Sequence, residues 1–133
     1  MTRSRFSLLL AVPAAALLAG CNSSTQPNGG IMVPHGNITI RNGGSALGAN
    51  AFAPPTLTVS LATASRVVWS NGDVGSGAYP TGTTHHILSN NGTFESADLG
   101  PGRTYAFTFA DTGHFAYHCA IHPSMVGTVV VTP

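Results

Sequence analysis

From about residue 36 onward, the chain is a series of short runs in which apolar and polar residues alternate, bounded by Gly, Pro, Asn or Ser. A period of two marks a strand with one buried face. Ile38 and Ile40 alternate with Thr39 and Arg41, and Leu57, Val59 and Leu61 with Thr58 and Ser60. Val67, Val68 and Trp69 form a denser run that ends in the turn-forming Ser70-Asn71-Gly72-Asp73. Tyr105, Phe107 and Phe109 alternate with Ala106 and Thr108, and Phe115, Tyr117 and Cys119 with His114, Ala116 and His118. Val129 and Val131 close the chain. No window of eleven residues in this region carries a helical stripe. Seven or eight short strands in roughly 100 residues predict an all-β domain, an antiparallel Greek-key β-sandwich.

The N-terminus is patterned differently. Arg3 and Arg5 precede a nearly continuous apolar run from Phe6 to Ala19. This run is shorter than the roughly 20 residues a membrane-spanning helix needs and has the form of a secretory signal peptide. It ends Leu18-Ala19-Gly20-Cys21, which resembles the bacterial lipobox, where cleavage leaves a lipid-bearing cysteine as the new N-terminus. The expected organisation is a signal peptide over residues 1–20, a lipidated Cys21 with a flexible tether over 21–35, and one domain over 36–133. The expected location is outside the cytoplasm, as a membrane-anchored lipoprotein of the bacterial periplasm or cell surface. The lipid would be the only contact with the membrane.

Composition sharpens this picture. The 133 residues include 16 glycines and nine prolines, which favours turns over long helices. The formal charge of +1 comes from five arginines against four acids, with no basic stripe, which argues against nucleic-acid binding. Without residues 1–20, three arginines (Arg41, Arg66, Arg103) face four acids (Asp73, Glu95, Asp98, Asp111), a formal charge of −1. Two cysteines exclude a disulfide-dense scaffold and a four-thiolate zinc module.

The candidate chemistry lies near the C-terminus. Cys119, His122 and Met125 follow one another as Cys-x2-His-x2-Met, three donor types within one tight loop, with Pro123 restricting its backbone. Thiolate and thioether are soft donors that suit Cu(I), and imidazole suits Cu(II) as well. Two imidazoles and a thiolate with a weak axial thioether make a blue-copper electron-transfer site. The second imidazole must come from His85 or His86, which neighbour each other on a strand-like segment and therefore point to opposite faces. Periodicity leaves the choice open, because Ile87 and Leu88 are both apolar. His114 and His118 fall opposite Cys119 and are expected at the surface.

Several segments, in order, resemble the cupredoxins. Phe52-Ala53-Pro54 with Leu57-Thr58-Val59 is similar to their F-x-P strand entry, and Val67 through Asp73 to their V-x-W-x-N-x-D segment. Thr84-His85-His86-Ile87 resembles their first-ligand motif, [PT]-H-x-[VI]. Phe94-Glu95-Ser96, Leu99-Gly100-Pro101-Gly102 and Tyr105-Ala106-Phe107 resemble the stretch that follows. The short ligand loop is most similar to amicyanin and other small bacterial members.

The resemblance implies a type 1 (blue) copper protein with one copper per chain, held by His85, Cys119, His122 and Met125, with His86 as the alternative first ligand. It also implies single-electron transfer between transient redox-protein partners, by a monomer that is not itself an enzyme. Ala120, Ile121 and Pro123 would form an apolar docking patch around the exposed edge of His122. A copper-binding or trafficking lipoprotein with no redox cycle is the alternative. A copper enzyme would need a second copper site, and zinc is disfavoured by the thioether. Two departures from the pattern stand out. His86 occupies a position where many members have Asn or Thr, which help hold the copper-bound sulfur. The stretch between Asp73 and His85, residues 74–84 with Tyr79 inside it, is longer than in the small members and is expected near the copper end.

Overall fold

The alternating runs form the strands of two facing sheets. A computed structural model of the chain describes residues 37–63, 65–77 and 81–133. Cys21, His35 and Tyr79 lie outside the described residues, as do the proposed signal peptide and tether. The strands are β1 (Ile38–Ile40), β2 (Phe52–Ala53), β3 (Thr56–Ser60), β4 (Arg66–Asn71), β5 (Ile87–Ser89), β6 (Thr104–Thr108), β7 (Gly113–Cys119) and β8 (Val126–Thr132). One sheet has the order β2-β1-β4-β6 and the other β3-β8-β7-β5. The result is the expected β-sandwich, with eight strands.

Two ladders depart from an all-antiparallel arrangement: β1 runs parallel to β4, and β3 parallel to β8. Period-two patterning specifies which face a residue takes but not the direction of its partner strand. Between β1 and β2 the chain makes one short helical turn, α1 (Gly44–Leu47), continued by a 3-10 turn (Gly48–Asn50). These are too short to leave a helical stripe in the sequence. Leu61 lies beyond β3 and is 37% exposed, so the alternation there stops at Val59.

The core lies between the sheets. Ile38, Ile40, Val67 and Trp69 from one sheet meet Ile87, Tyr117, Val129 and Val131 from the other, all buried. Trp69 and Tyr117 meet edge to face at 5.6 Å, which locks the two sheets together through large apolar surfaces. Phe94 packs on both, at 5.2 and 6.1 Å. This rigid interior underlies the end of the sandwich where the β7–β8 loop and the start of β5 meet. In the ladder between β5 and β7, Ile87 pairs with Cys119, which sets His85 and His86 beside that loop.

Candidate metal centre

Cys119 is the last residue of β7, and the chain turns back from it through residues 120–125 into β8. Backbone bonds hold this turn closed. The His122 N–H donates to the Cys119 carbonyl (3.2 Å), the Met125 N–H to the His122 carbonyl (2.9 Å) and the Cys119 N–H to the Met125 carbonyl (3.0 Å). The loop is also tied to the neighbouring segment, because the Ala120 N–H donates to the His86 carbonyl (2.8 Å). His85 is anchored on its other side by a reciprocal backbone pair with Leu99 (3.0 and 2.7 Å).

These elements bring three donors together. Cys119 Sγ lies 3.7 Å from His85 Nδ1 and 3.7 Å from His122 Nδ1, and the three atoms all lie within 4.8 Å of one another. His85 and Cys119 are fully buried and His122 is half-buried. Met125 is fully buried at the same end. A Cβ placed on Gly44 would sit 3.3 Å from Met125 Cε and 3.6 Å from His85 Cε1, so the first turn of α1 closes over both side chains.

The two adjacent histidines do different things. His85 turns inward to Cys119, while the His86 ring faces outward between two carboxylates. Its Nδ1 is 2.9 Å from Asp98 Oδ1 and its Nε2 is 2.9 Å from Glu95 Oε1. On the inner side, the His86 backbone N–H reaches Cys119 Sγ, at 3.4 Å. His118 points away from the cluster and its Nδ1 meets Asn90 Oδ1 at 2.7 Å. His114 is exposed, as are Ala120, Ile121 and Pro123, which flank the half-buried His122 in the chain.

The electrostatics prepare the thiol for a metal. Burial pushes the Cys119 thiol up, but the His85 ring, the His86 N–H, and the His122 ring and N–H outweigh it and bring it down to about 6. Burial also works against a charged His85 ring. Its contacts with Cys119 and Asp73 prevail and hold its pKa above the ordinary histidine value. A thiolate, two imidazoles and a buried thioether nearby suit copper, with soft donors for Cu(I) and imidazole for Cu(II). Thioether is not among the usual zinc ligands.

Two buried residues at this end, Asn71 and Asp73, stand out in the sequence only as turn formers within one motif. Asn71 accepts from the Asp73 N–H (2.9 Å) and donates through Nδ2 to the carbonyls of Thr83 and Leu99 (both 2.8 Å). It therefore pins both flanks of His85. Asp73 Oδ2 lies 3.1 Å from His85 Nε2. The described ends of the 74–84 stretch lie at the same end of the sandwich, with Gly75 bonded to Asn42 and Thr83 to Asp73 and Asn71.

A half-closed Cys-His-His cluster at the loop end of a β-sandwich defines a copper-binding class of protein. The model of the copper-binding proteins of the plastocyanin/azurin family matches residues 18–132, and the chain belongs to that family. It is similar to a purple cupredoxin from Nitrosopumilus maritimus, at 28% identity and a TM-score of 0.58, over 71% of this chain and 97% of that one. A Cu-containing nitrite reductase from Thermus scotoductus SA-01 is 30% identical with a TM-score of 0.52, over 62% of this chain. The match spans only 20% of that enzyme. An amicyanin variant in its Cu(I) form is 27% identical with a TM-score of 0.47, over 58% of this chain and 69% of that one. No curated protein matches the chain.

Proposed function

We propose that the chain is a type 1 (blue) copper protein that carries single electrons between redox partners outside the cytoplasm. The observation that supports this most directly is the convergence of Cys119 with the Nδ1 atoms of His85 and His122 within 4.8 Å. In this reading His85, Cys119 and His122 would hold the metal, with the thioether of Met125 as a weak further ligand. When bound, copper supplies a one-electron couple, accepting an electron from a reduced carrier and passing it to an oxidised one, with no bond to substrate formed.

The protein's own residues keep that exchange cheap. Cu(II) and Cu(I) favour different coordination geometries, and ligands free to move would rearrange on every cycle. Here His85 and Cys119 are set by paired backbone segments, and His122 and Met125 by the closed loop. The His86 N–H directed at Cys119 Sγ restrains the sulfur and withdraws charge from it. Electrons would enter and leave at the half-buried edge of His122. Ala120, Ile121 (47% exposed) and Pro123, exposed and next to His122 in the chain, would supply a small apolar docking surface. Encounters of this kind bury less than about 1,200 Å² and dissociate readily. A lipid on Cys21 would tether the domain near membrane-bound partners.

This reading makes the chain a carrier and not an enzyme. Its similarity to the nitrite reductase covers only a fifth of that protein.

The test is optical. Copper-loaded protein is expected to be intensely coloured, with an EPR signal of a thiolate-bound Cu(II). A colourless Cu(II) form, or colour that survives Cys119→Ser, overturns the assignment. Slow loss of copper to chelators with fast electron self-exchange supports the carrier role. Rapid copper loss without self-exchange indicates trafficking instead.

A further inference from the structure

Asp73 is the one fully buried acid among the described residues; Glu95, Asp98 and Asp111 are exposed. A buried carboxylate is unfavourable unless its oxygens are partnered. Asp73 has a partner on each. The Gly43 N–H donates to Oδ1 at 2.9 Å, and Oδ2 faces His85 Nε2 at 3.1 Å, between side chains with no solvent exposure. The Asp73 N–H is in turn held by Asn71 Oδ1. The loop that meets Oδ1 continues into Gly44, which lies against His85 and Met125. A single carboxylate thus joins the end of β4, the turn before α1 and the imidazole that faces Cys119.

This contact has two consequences for His85. A carboxylate only accepts, so the shared proton belongs on Nε2 of the neutral ring. Nδ1 is then bare and its lone pair points toward Cys119 and His122, 3.7 Å from the sulfur. The carboxylate also places a negative charge on the far side of that imidazole, where burial leaves it little screened. A negative charge near a metal favours its more highly charged state.

We infer that Asp73 is a positioning residue for the copper centre, fixing His85 with Nδ1 free for the metal and biasing the couple toward Cu(II). The inference rests on the blue-copper reading above.

Asp73→Asn retains the size and an acceptor oxygen but removes the charge. In the copper-loaded variant the Cu(II)/Cu(I) equilibrium is expected to shift about tenfold toward Cu(I). At 59 mV per tenfold for one electron, the reduction potential rises by about 59 mV. Cu(II) affinity is expected to fall about 10- to 100-fold, with Cu(I) affinity less affected. A coloured Asp73→Asn protein whose potential is unchanged or lower overturns the inference. If the variant does not fold, nitrogen NMR of His85 in the unsubstituted metal-free protein decides, at a pH where the ring is neutral. Protonated Nε2 with bare Nδ1 upholds the role, and protonated Nδ1 refutes it. If the unsubstituted protein gives no coloured copper complex, the blue-copper reading itself fails. Colour in that protein with no shift in the variant removes only the role of Asp73.

Discussion

The backbone N–H of His86 points at Cys119 Sγ from 3.4 Å while the His86 ring lies outside, clasped by Asp98 and Glu95. The contact with the sulfur belongs to the backbone, so it should survive loss of the side chain. His86→Ala is therefore expected to keep the copper colour, whereas His85→Ala should abolish it. The ion pairs of His86 are surface pairs, with side-chain exposures of 61% for Glu95 and 70% for Asp98, and are worth about 0–1 kcal/mol after screening. Asp98 and then Glu95 raise the His86 pKa above 6.5 against slight desolvation. Their stabilisation is full below about 6.5 and fades as pH rises through the raised value. Urea unfolding of the two proteins should show the gap narrowing from pH 6 to pH 8.

The same sign reasoning applies to copper uptake. With the thiol lowered to about 6 and the His85 ring raised, metal-free protein just above pH 6 holds a thiolate beside an imidazolium. Copper must then displace one proton, from His85; below about 6 it must displace two. As pH is lowered, apparent affinity is expected to fall about tenfold per unit above that point and about a hundredfold per unit below it. A chelator competition series from pH 5 to pH 8 reads the slope, and a constant slope contradicts the ion pair.

Asn71→Ala should damage the fold and the copper site together. The change leaves the Asp73 N–H and the Thr83 carbonyl without that partner and the Leu99 carbonyl with only the His85 N–H, all at one end of the sandwich. Unsatisfied buried groups cost about 1–3 kcal/mol each. A loss of about 2 kcal/mol or more in urea unfolding is expected, with a broadened copper EPR signal as His85 loosens. A loss below about 1 kcal/mol would show that water replaces the amide.

Gly127→Ala is expected to destabilise the domain by about 1–3 kcal/mol through overpacking. In the β7–β8 ladder Gly127 pairs with Tyr117, whose ring crosses over it so closely that a Cβ would overlap the ring carbon and hydroxyl. That hydroxyl is buried and has no hydrogen-bond partner among the described residues. Tyr117→Phe alone should therefore cost less than about 1 kcal/mol, and combined with Gly127→Ala it should recover part of the loss. Thermal unfolding of the four proteins completes the cycle.

Cys119, His122 and Met125 could be picked out before any fold was known, because the donors lie within seven residues and a loop alone can gather them. The strands were equally legible, since the inward positions Ile38, Ile40, Val67, Trp69, Tyr117, Val129 and Val131 repeat with the period of a half-buried sheet. Local spacing carried both kinds of information. It could not choose between His85 and His86, because strand neighbours differ only in the face they present. That face follows from the pairing of Ile87 with Cys119 across β5 and β7. It could not foresee the parallel partners of β1 and β3, nor the grip of Asp73 on His85 and Gly43, residues 12 and 30 positions away. Those contacts arise when distant segments pack against one core, so only the folded chain reveals them.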